Sequence, residues 1–454
     1  MKNFGCILLL LMLMLVLEVD AQQSDSMCIS IGLKDGQTGE VLGNGELIVK
    51  TVEGAIIFQG AINHREKVCW TNRDSGSLNL VLNIENYVPV DTILTIDDFK
   101  IIQQNEKMIH VNFFFDFSGQ FVEGVDINAN RGPQVRFGSE RLSVSDYVLL
   151  GDKEMILLTY PQRLNKDCEI LWLKNDRILG RRVYMKETKG LITDYQNNIY
   201  LRAVDGTYRL SLSSNIGLRS IDEQELEQTI LPIIDTLGEE RVYFSNYREF
   251  YPAFDYYMVD RNDTSYVKVH HLEDELMMEQ YRSEYKWADV RTKLWAWDQE
   301  AATGIDREVW VGANIFTQTI YYEPPLGDFF LMNDKLLVFD YYNDQLYFFD
   351  AWNCAIKDSC TIDFHRDARK SGWEKTVLKD PLRDELYTVY DEAGYTEIVN
   401  INNHTGVLGE RQRLQHRYVE NIKIYDGKIY YIYRPFESPQ KKYLYTESIR
   451  RDLK

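Results

Sequence analysis

The sequence predicts an all-β protein, an N-terminal β-sandwich followed by a β-propeller that carries a helical insertion. Three observations predict it. First, Leu331-Met-Asn-Asp-Lys-Leu-Leu-Val-Phe-Asp340, Leu378-Lys-Asp-Pro-Leu-Arg-Asp-Glu-Leu-Tyr387 and Ile424-Tyr-Asp-Gly-Lys-Ile-Tyr-Tyr-Ile-Tyr433 share one plan. Each is an apolar strand end, an aspartate-bearing turn and a second strand rich in Leu, Ile and Tyr. The turn aspartates Asp334, Asp380 and Asp426 stand 46 residues apart both times, and a fixed period of about 40–50 residues with several strands per unit marks a propeller. Second, the region before it carries many short apolar runs bounded by Gly, Asn and Asp, the pattern of a sandwich. Third, 79 residues separate Asp255 from Asp334, more than one period, and part of that gap has helical composition.

Residues 1–21 read as a signal peptide. Lys2 supplies a positive start, Cys6 to Leu17 is an unbroken apolar run, and Val19-Asp20-Ala21 is a small-residue cleavage site. The run is short for a membrane span, and no later stretch is apolar for long enough. The mature chain is therefore expected to be secreted, periplasmic or on the cell surface.

Residues 22–128 read as the sandwich. Cys28-Ile-Ser-Ile-Gly-Leu33 begins a strand, Gly45 to Thr51 alternates apolar and polar residues, and Leu78–Ile84, Asp91–Ile96 and Met108–Phe115 continue the pattern. Cys28 and Cys69 lie in strands and are placed to pair across a sheet. Asp35-x-x-Thr38-Gly39-Glu40-x-Leu42, followed by Leu47-x-Val49, Glu85-Asn86-Tyr87 and the Thr92–Ile96 strand, resembles the carboxypeptidase-regulatory-like β-sandwich. That domain often follows the signal peptide of secreted and outer-membrane proteins in the Bacteroidetes. The resemblance covers about seventy residues and implies a non-catalytic structural or adhesive module. It departs at Cys69-Trp-Thr-Asn-Arg-Asp-Ser-Gly76, where the family carries a Gly-Thr and Thr-Asp-x-x-Gly run.

Residues 129–140 lose alternation, carry Gly and Pro, and read as a linker. Residues 141–454 read as the propeller. Copies of the repeat are traced at Tyr147–Tyr160 with Glu169–Leu173, at Leu191–Leu210, and at Phe250–Val269 with Asp255 as the turn aspartate. With the three C-terminal copies these make six. Glu273–Glu300 has no Gly or Pro, and Met278, Tyr281, Tyr285, Val290 and Leu294 fall near helical spacing, so an insertion is expected over about 273–317. The competing reading is a seventh blade using Glu308-Val-Trp-Val311 and Gln318–Tyr322. A six-membered ring of this kind resembles the secreted propellers grouped with the NHL-repeat lineages.

Five cysteines remain after cleavage. Cys354 and Cys360 flank a short turn-like segment and are expected to form a local disulfide, while Cys168 reads as a small buried hydrophobe. The formal charge of −19 argues against a nucleic-acid partner, whose affinity comes from neutralised phosphates. His270 and His271 are adjacent on a strand and point to opposite faces, so they do not bind one metal ion together. No nucleophile elbow, P-loop, H-E-x-x-H or EF-hand loop occurs, and no cofactor or metal is expected. Trp287, Trp295 and Trp297 fall in the insertion, as does Trp310 if it extends to Thr317. With Arg307 they are candidate ligand-binding residues, because indole rings stack on sugars and anchor protein partners. The expected function is a non-enzymatic envelope protein that binds a protein or glycan partner on a propeller face. The alternative is a glycan hydrolase or lyase acting at the channel mouth.

Overall fold

The computed structural model describes residues 26–450, apart from 37–39, 52–53, 72–76, 86, 96–98, 104–105, 116–131, 152, 214, 320–321, 367 and 437–440. The segment read as a signal peptide lies outside the described residues. The chain divides into two compact units. One takes in residues 1–125, 156–187 and 212–217, and the other takes in 126–155, 188–211 and 218–454.

The first unit is a sandwich. Its strands are β1 (Ser26–Asp35), β2 (Asn44–Thr51), β3 (Ile56–Asn63), β4 (Lys67–Thr71), β5 (Leu78–Asn83), β6 (Val90–Leu94), β7 (Lys100–Gln103) and β8 (Glu106–Phe115). One sheet runs β4-β1-β8-β7 and the other includes β6-β5-β2-β3. Alternation decides the core. Met27, Ile29, Ile31 and Leu33 of β1 point inward with Ile109, Val111, Phe113 and Phe115 of β8. They meet Leu47 and Val49 of β2 and Leu78, Leu80 and Leu82 of β5. Each such side chain is worth about 1.5–3 kcal/mol on burial. Cys28 stands opposite Cys69 in the antiparallel β1–β4 pair, and the two form a disulfide.

The chain then makes β9 (Gln134–Phe137) and β10 (Ser143–Gly151), both in the second unit, followed by β11 (Glu154–Tyr160), β12 (Cys168–Lys174) and β13 (Arg177–Tyr184). Residues 156–187, read as part of the propeller, are grouped with the first unit. The reason is a parallel pairing of β13 with β6, from Arg181 opposite Val90 to Tyr184 opposite Ile93. Buried charge marks this seam. Arg181 pairs with Glu169, and Arg182 lies 3.9 Å from Asp91.

The second unit is built as a β-propeller. Its sheets follow one another along the chain, each a four-stranded antiparallel meander. They are β14 (Thr188–Thr193), β15 (Ile199–Ala203), β16 (Gly206–Leu212) and β17 (Ile216–Ile221); β18 (Ile233–Leu237), β19 (Arg241–Ser245), β20 (Ala253–Asp260) and β21 (Tyr266–Glu273); β22 (Asp328–Met332), β23 (Lys335–Asp340), β24 (Gln345–Asp350) and β25 (Ile356–Thr361); and β26 (Trp373–Asp380), β27 (Glu385–Glu392), β28 (Tyr395–Ile401) and β29 (Leu408–Arg417). The last sheet adds β30 (Glu420–Tyr425), β31 (Lys428–Tyr433) and β32 (Tyr443–Ser448) and is completed by β9, in the order β30-β31-β32-β9. Residues 134–137, read as linker, are thus a strand whose partners are Thr446, Tyr445 and Leu444. First strands touch first strands: β10 meets β14 and β30, β18 meets β22, and β26 meets β30.

Both faces of these sheets are buried, which is why their strands read as continuous apolar runs. Leu336 and Val338 of β23 pack toward Tyr243, Tyr256 and Leu272 of the preceding sheet. Leu337 and Phe339, one step along, pack toward Trp373, Leu386 and Tyr390 of the following one. The same geometry corrects the expected Cys354–Cys360 disulfide: both cysteines are free. Cys354, at φ 54° in the turn before β25, joins the cluster with Tyr243 and Phe349, whereas Cys360 packs with Phe348 and Ile401 on the opposite face. Closeness in sequence does not help two side chains separated by the sheet itself.

The turn aspartates differ in role. Asp334 and Asp426 lie in two-residue turns, β22–β23 and β30–β31, while Asp380 ends β26 and is fully buried. Asp255 is no turn residue. It lies inside β20, because β18 and β19 supply the opening hairpin of that sheet. Between β21 and β22 stand three helices, α1 (Glu275–Trp287), α2 (Val290–Thr303) and α3 (Arg307–Phe316), capped by Asp274, Asp289 and Asp306. Glu308–Val311, one of the two runs on which the seven-blade reading rests, is therefore helical. Met278 and Tyr281 of α1 and Val309 and Ala313 of α3 bury against Ala253, Phe250 and Tyr251. Helix α2 packs on α3 and buries only Ala296. Among the described residues no helix is long and apolar enough to cross a membrane.

Candidate functional site

Four antiparallel strands return the chain to the end from which it started, so every first strand in the second unit begins at the same end. Between β26 and β30 is a cleft of about 310 Å³ lined by Glu374, Thr376, Leu378, Val389, Asp391, Thr396, Val419, Asn421 and Ile422. Both strands that wall it are irregular. The β26–β27 register slips between Trp373 and Val377, with Lys375 at φ 52°, and the β30–β31 register slips between Glu420 and Lys423, with Asn421 at φ 51°. A bulge bends its strand and re-aims side chains. Two facing bulges leave a gap where regular first strands would close on each other.

Each wall is braced from behind. Trp373 Nε1 donates to Thr388 Oγ1 at 2.6 Å, and Thr388 Oγ1 donates to the Thr376 carbonyl at 3.1 Å. Asp391 Oδ1 accepts from the Gly394 amide at 3.0 Å, which fixes the β27–β28 turn. On the other wall Asn421 Nδ2 donates to Asp146 Oδ1 at 2.6 Å, and the Asn421 carbonyl accepts from the Tyr147 hydroxyl at 2.7 Å. Burial pushes the Tyr147 hydroxyl well above its ordinary range and holds the Lys423 ammonium below its own. Tyr418, next to Val419, is exposed and stands at φ 55°. Its amide donates to the Gly394 carbonyl, and its ring lies where a Cβ on Gly394 would stand, 2.2 Å from Cε1. Only glycine fits there, so the turn and the tyrosine are held as a pair.

The lining combines an apolar wall (Leu378, Val389, Val419, Ile422) with hydroxyl, amide and carboxylate groups, and it contains no Lys, Arg or His. Such a surface offers CH contacts and hydrogen-bond acceptors together. Asp328 at the start of β22 accepts a hydrogen bond from the Tyr341 hydroxyl at 2.6 Å. Burial pushes its carboxyl up to about 6 despite that bond.

The structure brings Trp297 and Arg307 of the insertion together and pairs Trp295 with Trp310. Trp287 is 82% exposed at the end of α1. Trp295 meets Trp310 edge to face at 6.0 Å, and Trp310 stacks on Phe250 at 5.1 Å, so this pair fastens α2 to α3 and α3 to the β19–β20 loop. Trp297 donates from Nε1 to the Tyr285 hydroxyl at 3.0 Å, and the Arg307 guanidinium lies 5.3 Å from its ring centre. His270 and His271 diverge. His270 Nε2 meets Asp340 Oδ2 at 2.9 Å, and His271 reaches Asp255 and Glu273. Among the described residues no group of three or more His, Cys, Asp or Glu is placed to hold a metal ion. Reading along the sequence missed the cleft, because its walls lie about 45 residues apart and its signal is a pair of bulges.

No family model matches the chain, and no curated protein does. Solved structures similar to it include the calcium-binding protein regucalcin from Agrobacterium tumefaciens, at 10% identity over 70% of this chain and 93% of that one, with a TM-score of 0.31. Another is virginiamycin B lyase from Staphylococcus aureus, at 9% identity over 70% of this chain and 98% of that one, also at 0.31. A third is the extracellular domain of a hybrid two-component system from B. thetaiotaomicron, at 9% identity over 64% of this chain and 32% of that one, at 0.28. The fold assignment rests on the chain's own sheets.

Proposed function

We propose that this is a secreted or cell-envelope binding protein without catalytic activity, whose sandwich is of the carboxypeptidase-regulatory-like kind. Its propeller is a ring of six blades with β10, β14, β18, β22, β26 and β30 as the innermost strands. The ligand is a glycan held in the cleft between β26 and β30. The observation that carries this reading is the lining of that cleft, where apolar side chains alternate with Glu374, Thr376, Asp391, Thr396 and Asn421. A sugar ring has the same alternation, CH faces bounded by hydroxyls. Two carboxylates with no cation among the lining residues disfavour uronic or sulfated sugars and favour neutral or amino sugars. The test is a glycan array followed by calorimetry on the captured sugar. Glu374 is exposed, so Glu374→Ala is expected to weaken binding about tenfold or more with the melting temperature unchanged. An array that captures nothing, or a variant that binds as well as the parent, overturns the reading.

A further inference from the structure

Helix α2 is amphipathic the wrong way round for a helix serving only its own fold. At 3.6 residues per turn, Val290, Leu294, Trp297 and Ala301 fall within about 60° of one another, and all four are exposed, the first three at 74%, 54% and 51%. The one buried residue, Ala296, lies on another face. The 4-3-4 spacing of the stripe is that of a helix-pairing seam. The flanks carry a second pattern. Arg291 and Asp298 border one side, and Lys293 and Glu300 border the other, so cations occupy the first half of the helix and acids the second.

We propose that α2 is a self-association surface on which a second copy of this chain docks with its own α2 antiparallel, about a two-fold axis. Under that symmetry residues on one flank meet residues of the same flank at mirrored height. Arg291 then faces Asp298 of the second copy, Lys293 faces Glu300, Leu294 packs on Trp297, and Val290 packs on Ala301. Both flanks become complementary in a single arrangement. A parallel arrangement would set like charges against each other. Arg291 and Asp298 make no ion pair within the chain among the described residues. Glu300 reaches Arg307 at 3.4 Å through an exposed pair, and Lys293 donates to the Lys286 carbonyl at 3.2 Å. An acidic or basic foreign partner would satisfy one half of the helix and repel the other, which is why a second copy fits best. One helix supplies less than the roughly 1,200–2,000 Å² of a stable interface, so the dimer is concentration-dependent and weakened by salt.

Sedimentation velocity on the full chain over a range of concentrations tests this, with circular dichroism to follow folding separately. The parent is expected to move from monomer to dimer as concentration rises. Leu294→Asp abolishes the dimer. Arg291→Asp, which acts twice in a symmetric dimer, weakens it about tenfold or more. The reversal Arg291→Asp with Asp298→Arg restores it to within about threefold. A parent that stays monomeric to about 100 µM overturns the proposal. So does a dimer indifferent to Leu294→Asp, or a double reversal that fails to restore association while the variant remains folded.

Discussion

Asp328 shows how much one carboxyl can carry. Its ordinary value of 3.8 is pushed up to about 6 by burial, and the Tyr341 hydroxyl recovers only part of the cost. A raised acid favours the folded state in its protonated form. The associated stability is complete below about pH 4, where both folded and unfolded chains hold the proton. It is lost as pH rises through about 6, by about 3 kcal/mol for a shift of this size. Asp328→Asn keeps the shape and the hydrogen-bond acceptor without the charge. It is expected to raise stability at pH 7.5 by about 2–3 kcal/mol and to match the parent near pH 4, as measured by denaturant titration at both values. A variant equally stabilised at both would mean that the carboxyl is ionised without penalty. Asp340 works in the opposite direction. Burial raises it, but bonds from His270 and Asn343 outweigh that and hold it low, so its contribution is present at neutral pH and disappears only in acid. Nothing in the sequence around Asp328 and Asp340 separates the two, because the difference lies in which neighbours each one meets.

At the scale of elements, the 46-residue spacing locates hairpins but does not make their aspartates equivalent. Asp380 is buried, and its carboxylate accepts from the amides of Leu382 at 3.1 Å, Asp426 at 3.0 Å and Gly427 at 2.6 Å. It thereby ties the β26–β27 corner to the β30–β31 turn, whose Asp426 and Gly427 both sit at positive φ. Asp334 is exposed in its turn. Asp380→Ala leaves three amides short of an acceptor and is expected to cost about 3 kcal/mol or more. Asp334→Ala, at the matching place in the repeat, should fall within about 0.5 kcal/mol of the parent. Chemical denaturation of the two variants side by side checks this, and equal losses would refute it. The helices were readable from composition, since a run without Gly or Pro with helical apolar spacing leaves little else. The bulges that open the cleft were not, because Trp373–Val377 and Glu420–Lys423 contain no residue that demands a slip. Nor could local sequence say that Cys354 and Cys360 lie on opposite faces of one sheet, which needs the register of β24 against β25.

For the molecule as a whole, what was least legible is what joins residues far apart. Period-2 and continuous apolar runs marked out most of the strands. They did not reveal that β13 lies parallel to β6, or that a Gly- and Pro-flanked segment read as linker is the strand that completes the final sheet. Both pairings are set by partners many residues away. Val135 lies opposite Tyr445 and is itself exposed, so a change there probes the ladder more than the core. Val135→Pro removes a backbone N–H from β9 and restrains its φ. It is expected to speed amide exchange at Leu444–Thr446 about tenfold or more, with β22–β25 unchanged. Undisturbed exchange at those amides would mean that β9 contributes little to holding the sheet.

That latch also sets an order in time. Gln134–Phe137 is synthesised long before its partner, and at about 5–20 residues per second the ribosome needs about 15–60 s to reach Ser448. Until then β9 has no strand to join, and its backbone donors are open to any other edge. The Arg and Gln that it carries, Arg136 and Gln134, are poor material for casual pairing, and so is the Gly-Pro that precedes it. A segment that looks like a spacer on the page is a strand that has to wait for its partner.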